Sequence, residues 1–472
     1  SSLHWCLTPR VGHYKPTEKD LLKFEKIRVR GKILKNVKYW KFNDEPYKLD
    51  RDHAAGMLLQ HEPTVGVVRV TKENYTTAIL GFDHDLMKPD NENWRLAIEY
   101  VYHYLATYVP KERPQYTGLY MDFSTGPGFP WNLYFKDKKD IPRSWIENDL
   151  YSDFEDYYWH LAMKREKLDI LKIVNKHKMR SFMMPSMTYL IRQKIFSQSF
   201  NDHLKDVPWS AYGFNWHKGG FHKLLAQLRT LRYKNDYDIS YWDKAFGLKK
   251  ECYKMRERFL DMTPEERRLF WLVAHQEITP NVVLPTGEVI ELETGQCSGS
   301  ENTTADNTIA HMMIIMYEAI CGFQEKYGEI PSLQVILDNI YARIYSDDNI
   351  SAYSERFDFM ADPVRKDAIF KQFGMAIEYE NPEKWKLTKS LEGHTFLGFE
   401  VKDYHGTLVP FYDYLKVKNS TVVRESQESP TEQIVRFKAL LELLTFTSHY
   451  NEYSEFIKKY ANLFELDPGF IP

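Results

Sequence analysis

Tyr341-Ala-Arg-Ile-Tyr-Ser-Asp-Asp-Asn-Ile-Ser-Ala-Tyr353 is the stretch on which the reading of this chain turns. Residues 341–345 and 349–353 are short β-prone runs, and Ser346-Asp347-Asp348 between them is the polar cluster of a tight turn. The predicted hairpin therefore carries two adjacent carboxylates at its tip. Alone this is a weak sign, because aspartates in turns are common and usually only solvated. Its meaning depends on what else stands along the chain.

Upstream, Tyr233 to Ser240 alternates as a strand does, which puts Asp236 and Asp238 on one face with Asp238 near the strand's end. Asp243 follows five residues later. Residues 281–295 predict a hairpin turning at Pro285-Thr-Gly287 and leading into Ser298-Gly-Ser-Glu-Asn-Thr303-Thr-Ala-Asp-Asn307. Beyond that loop Ile309, Met312, Met313, Met316 and Ile320 recur at helical spacing, a stripe read as one buried core face. Downstream, Phe396-Leu-Gly-Phe399 predicts a strand that braces the site.

The 472 residues are 43% hydrophobic and 27% charged, enough for several subdomains that share large cores. Lys and Arg total 63 against 66 Asp and Glu, so contact with a polyanion has to come from a local basic channel. Cys6, Cys252, Cys297 and Cys321 have no CxxC spacing and predict reduced thiols rather than disulfides or a zinc site. The apolar run from Ile309 to Phe323 is broken by His311 and Glu318 and is shorter than the roughly 20 residues of a membrane span. The first residues lack the pattern of a signal peptide, and the absence of an initiator Met points to processing or trimming. The sequons at Asn74 and Asn419 are read as chance.

No repeat, low-complexity tract or linker interrupts the chain, which predicts one compact unit of interleaved segments. Residues 1 to about 195 mix short strands (Val65 to Val70) with helices (Trp94 to Tyr108) in an N-terminal layer with its own core. Ser429-Pro-Thr-Glu432 has the cap, first-turn proline and capping-box glutamate of a helix start. Ile434, Phe437, Leu441 and Leu444 follow at helical spacing, and Tyr453, Phe456, Ile457 and Tyr460 predict a partner helix.

These residue types suit phosphoryl transfer to a hydroxyl, where two Mg²⁺ ions about 3.5–4 Å apart activate the nucleophile and offset charge on the phosphate. Mg²⁺ takes hard oxygen ligands, so Asp238, Asp347 and Asp348 suffice if their strands lie side by side. Asp243 is placed to accept from a ribose 2′-OH, with Asn307 and either Ser298 or Thr303 in the same network. Gly299 lets the loop backbone approach a sugar or nucleic acid closely, though a plain helix N-terminus would look similar. From Leu171 to Phe200, Lys172, Lys176, Lys178, Arg180, Arg192 and Lys194 stand without an acidic residue. Lys178 and Arg180 are the candidates to grip a triphosphate, against the alternative of a solvated basic face. Lys384 is the candidate proton donor to departing pyrophosphate, with Lys386 close behind.

Taken in order, these pieces resemble the RNA-dependent RNA polymerases of positive-strand RNA viruses, most of all the picornavirus-like group. Asp238-x4-Asp243 is similar to the family's first palm motif and Ser298-Gly-x3-Thr303-x3-Asn307 to its second. Asp347-Asp348 stands where its paired aspartates belong. Lys384 and Phe396 to Phe399 resemble its fourth and fifth motifs, and Lys178-Met-Arg180 its triphosphate-gripping fingers motif. Ser124-Thr125-Gly-Pro-Gly128-Phe-Pro130 is similar to the element lining the template entrance, which makes Thr125, Gly128 and Pro130 template-channel candidates.

The resemblance implies an α+β closed right hand with an antiparallel-sheet palm flanked by helices. Fingers take residues 1–195 and 247–294, palm 196–246 and 295–402, and thumb 403–472. It implies RNA synthesis from NTPs on an RNA template and Mg²⁺ dependence, with Mn²⁺ able to substitute. It also implies RNA and other viral replication proteins as partners, in membrane-associated replication complexes of the host cytoplasm. The chain departs from the group at Ser346, where Gly is usual; this leaves both aspartates intact and bears on metal preference or contact with the primer end. The short thumb leaves the mode of initiation open.

Two other readings compete. A reverse transcriptase shares the palm and paired aspartates but blocks the 2′-OH, where this chain offers Asp243 and Asn307. A catalytically silent RNA-binding scaffold would keep the fold, yet clustered carboxylates without a metal are destabilising and should erode first.

Overall fold

Thr303–Tyr327 is a 25-residue helix ended by Gly328 in the left-handed conformation that glycine adopts without penalty. Its predicted apolar stripe is buried, but burial does not stop at one face: every residue from Ala305 to Ile320 is enclosed. A helix enclosed on all sides has to find partners for whatever polar groups it carries. Asp306, Asn307, Thr308, His311 and Glu318 are such groups, and three of them, Asn307, Thr308 and His311, bond to the aspartate turn at Ser346.

The computed structural model describes residues 11–12, 28–33, 42–151, 157–215, 217, 219–379 and 390–471. The sequence predicts one compact unit, whereas the described residues divide into two, each with a large apolar core of its own. The first unit draws on residues 1–40, 80–162 and 182–390, the second on 41–79, 163–181 and 391–472. The interleaving is as predicted, while the expected separate N-terminal layer is shared between the units.

In the first unit the long helix packs along the helix Glu92–Ala106 and under the strand Ile340–Tyr345. That strand turns back directly into Asp348–Tyr353, with Tyr345 opposite Asp348, so the predicted aspartate hairpin is present. Tyr233–Asn235 adds a third antiparallel strand, with Ser351 opposite Asn235 and Tyr353 opposite Tyr233. The predicted strand from Tyr233 to Ser240 is broken in two. After Asn235 the chain leaves this sheet, and Ile239–Ser240 pairs instead with Ala376–Ile377. A mixed sheet of this unit holds Val11–Gly12, Arg28–Ile33, Glu288–Glu291, Asn281–Val283 and, parallel to the last, residues 158–160 in that order. The predicted 281–295 hairpin lies within it, turning at Gly287 with φ of 95°.

The second unit contains the two predicted C-terminal helices, Pro430–Leu443 and Tyr450–Leu463, packed with His53–Leu59 around Phe437, Leu441, Tyr453, Phe456 and Ile457. Ser429 and Glu432 form the expected capping box. Phe396 to Phe399 is not one continuous strand: Phe396 and Phe399 face each other across a two-residue turn in which Leu397 and Gly398 both have positive φ. That turn joins Thr395–Phe396 to Phe399–Tyr404. Asn74 and Asn419 are buried, with side chains engaged by Arg69 and Thr64, as chance sequons would allow. Among the described residues no helix is long and apolar enough to cross a membrane.

Candidate active site

The site is built where the broken strand passes the aspartate hairpin. The antiparallel ladder between Tyr233–Asn235 and Asp348–Tyr353 stops at Asn235, yet the register continues through a side chain. Asn349 Oδ1 accepts from the Tyr237 N–H at 3.3 Å, and Asn349 Nδ2 donates to the Tyr237 carbonyl at 2.9 Å. Asn349 thus replaces two ladder bonds that the main chain no longer makes. Asp238 and Asp348 are the chain neighbours of the two residues so joined. Asp238 is exposed, its carbonyl accepting from the Glu378 N–H at 3.2 Å, while Asp347 and Asp348 are half-buried.

His311 joins the two segments from below. Its Nδ1 lies 3.1 Å from the Ser346 carbonyl and its Nε2 lies 2.7 Å from the Tyr237 hydroxyl. A carbonyl can only accept, so Nδ1 carries the proton and Tyr237 donates to Nε2. Burial pushes the imidazole down to about 3, partly opposed by the Ser346 bond, and raises the Tyr237 phenol well above its ordinary value. Both groups are therefore neutral at pH 7. Behind them Lys366 Nζ lies 2.7 and 2.8 Å from the Glu318 carboxylate oxygens and 4.5 Å from the Tyr237 ring centroid. This ion pair is completely buried.

Ser346 stands in the left-handed region, with φ of 61°, which explains why glycine is the simpler residue there. The long helix satisfies all three of its polar groups. Its N–H donates to Thr308 Oγ1 at 3.0 Å, its carbonyl meets His311, and its Oγ accepts from Asn307 Nδ2 at 2.9 Å. Asn307 is itself buried, and its Oδ1 accepts from Gln296 Nε2 at 2.8 Å.

Asp243 is exposed in the short helix Trp242–Ala245, and its carbonyl accepts from the Gln296 N–H at 2.7 Å. Burial pushes the adjacent Lys244 down to about 7 against the pull of Asp243; its Nζ sits 3.5 Å from the Phe82 ring centroid. Ser298 Oγ accepts from the Met183 N–H at 2.9 Å, and Thr303 Oγ1 donates to the Cys297 carbonyl at 2.6 Å. The Gly299 backbone does make a close approach, to protein: its N–H donates to the Met183 carbonyl at 2.7 Å, and a Cβ there would lie 2.3 Å from that oxygen. Gly128, with φ of 76°, approaches the same segment, where a Cβ would fall 2.0 Å from the Pro185 carbonyl oxygen. The two predicted nucleic-acid loops are therefore seated on one stretch, Phe182 to Ser186. Thr125 accepts from Lys138 Nζ and donates to the Asp122 carbonyl, and Pro130 follows a cis peptide bond.

The basic stretch does not act as one patch. Arg192 donates to the Asp149 and Leu150 carbonyls, and Lys194 pairs with Glu301 at 2.6 Å, so both support structure in the first unit. Lys178 and Arg180 are exposed residues of the second unit, with Arg180 3.6 Å from Glu166. Burial, then the neighbouring Lys172 and Arg180 charges, lower the Lys178 ammonium. Lys384 and Lys386 lie outside the described residues.

Asp238, Asp347 and Asp348 offer the hard oxygens that Mg²⁺ takes, and Asn349 and His311 tie Tyr237 to the hairpin that carries the last two. Among the described residues no three His, Cys, Asp or Glu side chains already converge as an ion cage. Carboxylates without His or Cys are the donor type that suits a hard divalent ion. Sequence reading missed Asn349, His311, Tyr237 and Gln296. The available signal was a polar residue inside an apolar helix (His311) and an amide directly after the paired aspartates (Asn349).

Comparison with known proteins agrees with this geometry. The family model described as viral RNA-dependent RNA polymerase matches residues 98–462. The non-structural polyprotein 1AB of Turkey astrovirus 1 is 28% identical over 256 residues, covering 51% of this chain and 15% of that protein. That of Avian nephritis virus 1 is 24% identical over 331 residues, 66% of the chain and 21% of the relative. The genome polyprotein of Bean yellow mosaic virus is 24% identical over 271 residues, 54% and 8%. The chain spans under a quarter of each of these relatives. The match runs across Tyr233 to Ser240, the long helix and the aspartate hairpin alike, and on that extent the chain belongs to the viral RNA-dependent RNA polymerase family.

Proposed function

We propose that the chain copies RNA into RNA, adding ribonucleoside monophosphates from NTPs to a 3′ end for viral genome replication and transcription. The observation that carries this reading is the pair of bonds from the Asn349 amide to Tyr237, which ties the residue before Asp238 to the residue after Asp347-Asp348, in a chain of this family. Asp238, Asp347 and Asp348 would hold two Mg²⁺, with Mn²⁺ able to substitute. The ions would supply activation of the attacking hydroxyl and offset charge on the phosphate. Asp243 and Asn307 would read the ribose 2′-OH, and the loop carrying Ser298, Gly299 and Thr303 would form the floor under the sugar. Lys178 and Arg180 would bind the triphosphate, Arg through its fork and Lys as a point charge. Thr125, Gly128 and Pro130 would guide the template, and Lys384 would protonate the leaving pyrophosphate.

In this reading residues 1–195 and 247–294 serve as fingers, 196–246 and 295–402 as palm, and 403–472 as thumb. The chain would work with other viral replication proteins in host-cytoplasmic, membrane-associated complexes.

Primer extension on a ribonucleotide template, with rNTPs and dNTPs in parallel, tests the reading. Extension with rNTPs and little with dNTPs supports it. Efficient dNTP incorporation would mean a reverse transcriptase, and RNA binding without extension under any metal would mean a scaffold.

A further inference from the structure

Three stretches far apart in sequence meet through two amides and one hydroxyl. The Asp243 carbonyl accepts from the Gln296 N–H at 2.7 Å, and Gln296 Nε2 donates to Asn307 Oδ1 at 2.8 Å. Asn307 Nδ2 donates to Ser346 Oγ at 2.9 Å, and the next residue is Asp347. Gln296 is 2% and Asn307 1% exposed, so water cannot substitute freely for either bond.

A side-chain amide has two acceptor and two donor sites, and its terminal torsion is broad and nearly two-fold. An asparagine held on one side only can turn over and exchange its oxygen for its nitrogen. Here one acceptor site is fixed by Gln296 and one donor site by Ser346. What Asn307 can still offer a sugar hydroxyl is thereby set to one N–H and one lone pair in known places. The other end of the Gln296 amide, Oε1, is buried and meets no donor among the described residues, so Nε2 and its bond to Asn307 are what the side chain contributes here. Buried polar groups left unpaired are rare and call for a reason, and the bond to Asn307 supplies one.

We propose that Ser346 and Gln296 are positioning residues for ribose selection, acting through Asn307: the hydroxyl that replaces the usual glycine of the aspartate turn locks the amide that reads the sugar. The inference rests on the reading of Asn307 as a 2′-OH contact and extends it to two residues that touch no substrate. It also gives the non-glycine residue at φ of 61° a function that glycine cannot perform.

The test is steady-state primer extension with rNTP and dNTP by the wild-type chain and the variants Asn307→Ala, Ser346→Gly, Ser346→Ala, Gln296→Leu and Ser346→Gly/Asn307→Ala. Ser346→Gly relaxes the backbone and Ser346→Ala does not, while both remove the hydroxyl. The expected result is a similar fall in rNTP over dNTP preference, about 3- to 10-fold, in both Ser346 variants and in Gln296→Leu. It should include a higher KM for rNTP, as loss of a ground-state sugar contact does. The double variant should lose no more preference than Asn307→Ala alone. If Asn307→Ala changes the preference but Ser346→Gly does not, the positioning role is overturned while the ribose reading survives. An unchanged preference in Asn307→Ala overturns the ribose reading, and the positioning role with it. Should Gln296→Leu not fold, the two Ser346 variants decide the matter.

Discussion

Asn349 grips the backbone of Tyr237 through both ends of its amide, at 3.3 and 2.9 Å, in the register position where a main-chain ladder would have continued. The bonds couple the residue before Asp238 to the residue after Asp348. Asn349→Leu should therefore do more than loosen the fold. Leaving a buried N–H and C=O unpaired is expected to cost about 2–4 kcal/mol, and RNA synthesis should fall at least about tenfold at a temperature where the variant is still folded. Denaturant unfolding beside primer extension checks both; full activity in a destabilised variant would detach Asn349 from the alignment of the carboxylates.

His311 makes the fold acid-sensitive. Its folded-state value is about 3 against 6.5 when free, so below pH 6.5 the unfolded chain takes up a proton that the folded chain refuses. Stability present above pH 6.5 is lost as the pH falls, by about 2 kcal/mol from this residue between pH 6.5 and 5. In His311→Gln that increment should vanish, so the wild-type and variant unfolding free energies converge by about that amount between pH 7 and 5. Parallel slopes in urea unfolding at the two pH values would contradict the assignment.

Lys366 and Glu318 form a fully buried pair beneath the Tyr237 ring. Lys366→Met strands a carboxylate in the core and should destabilise by about 3–5 kcal/mol, whereas Lys366→Met with Glu318→Leu should recover most of the loss. A double-mutant cycle by thermal unfolding reads the coupling directly.

Gly299 and Gly128 let two loops close on Phe182 to Ser186. Gly299→Ala should shift the loop off Met183, costing about 1–3 kcal/mol in stability. It should also raise the KM for NTP more than it lowers kcat. Unchanged KM would mean that the loop's position does not matter to the nucleotide.

The hairpin at Ser346, the 281–295 hairpin and the capped C-terminal helices were legible because each is specified locally, by turn residues, periodicity or a capping box. What escaped depends on long-range pairing. Tyr233 to Ser240 alternates like one strand, but its break follows from competition between the aspartate hairpin and Ala376–Ile377, more than 100 residues away. The Met-rich stripe suggested one buried face, and only the packing reveals that Asn307, Thr308 and His311 are enclosed as well. Arg192 and Lys194 look like the rest of the basic run until their partners, the 149–150 carbonyls and Glu301, are seen. Phe396 to Phe399 reads as a strand because nothing in its sequence announces that Leu397 takes a positive φ.

The proposed metal-dependent nucleotidyl transfer by Asp238, Asp347 and Asp348 is tested most directly by primer extension over a Mg²⁺ titration, with Mn²⁺ in parallel. The wild-type chain and Asp347→Ala are compared, beside RNA binding and thermal unfolding of both. Synthesis should be reduced at least about 1,000-fold in the variant at every metal concentration, with RNA affinity and melting temperature nearly unchanged. An Asp347→Ala chain that extends primers at the wild-type rate would contradict the assignment of these carboxylates.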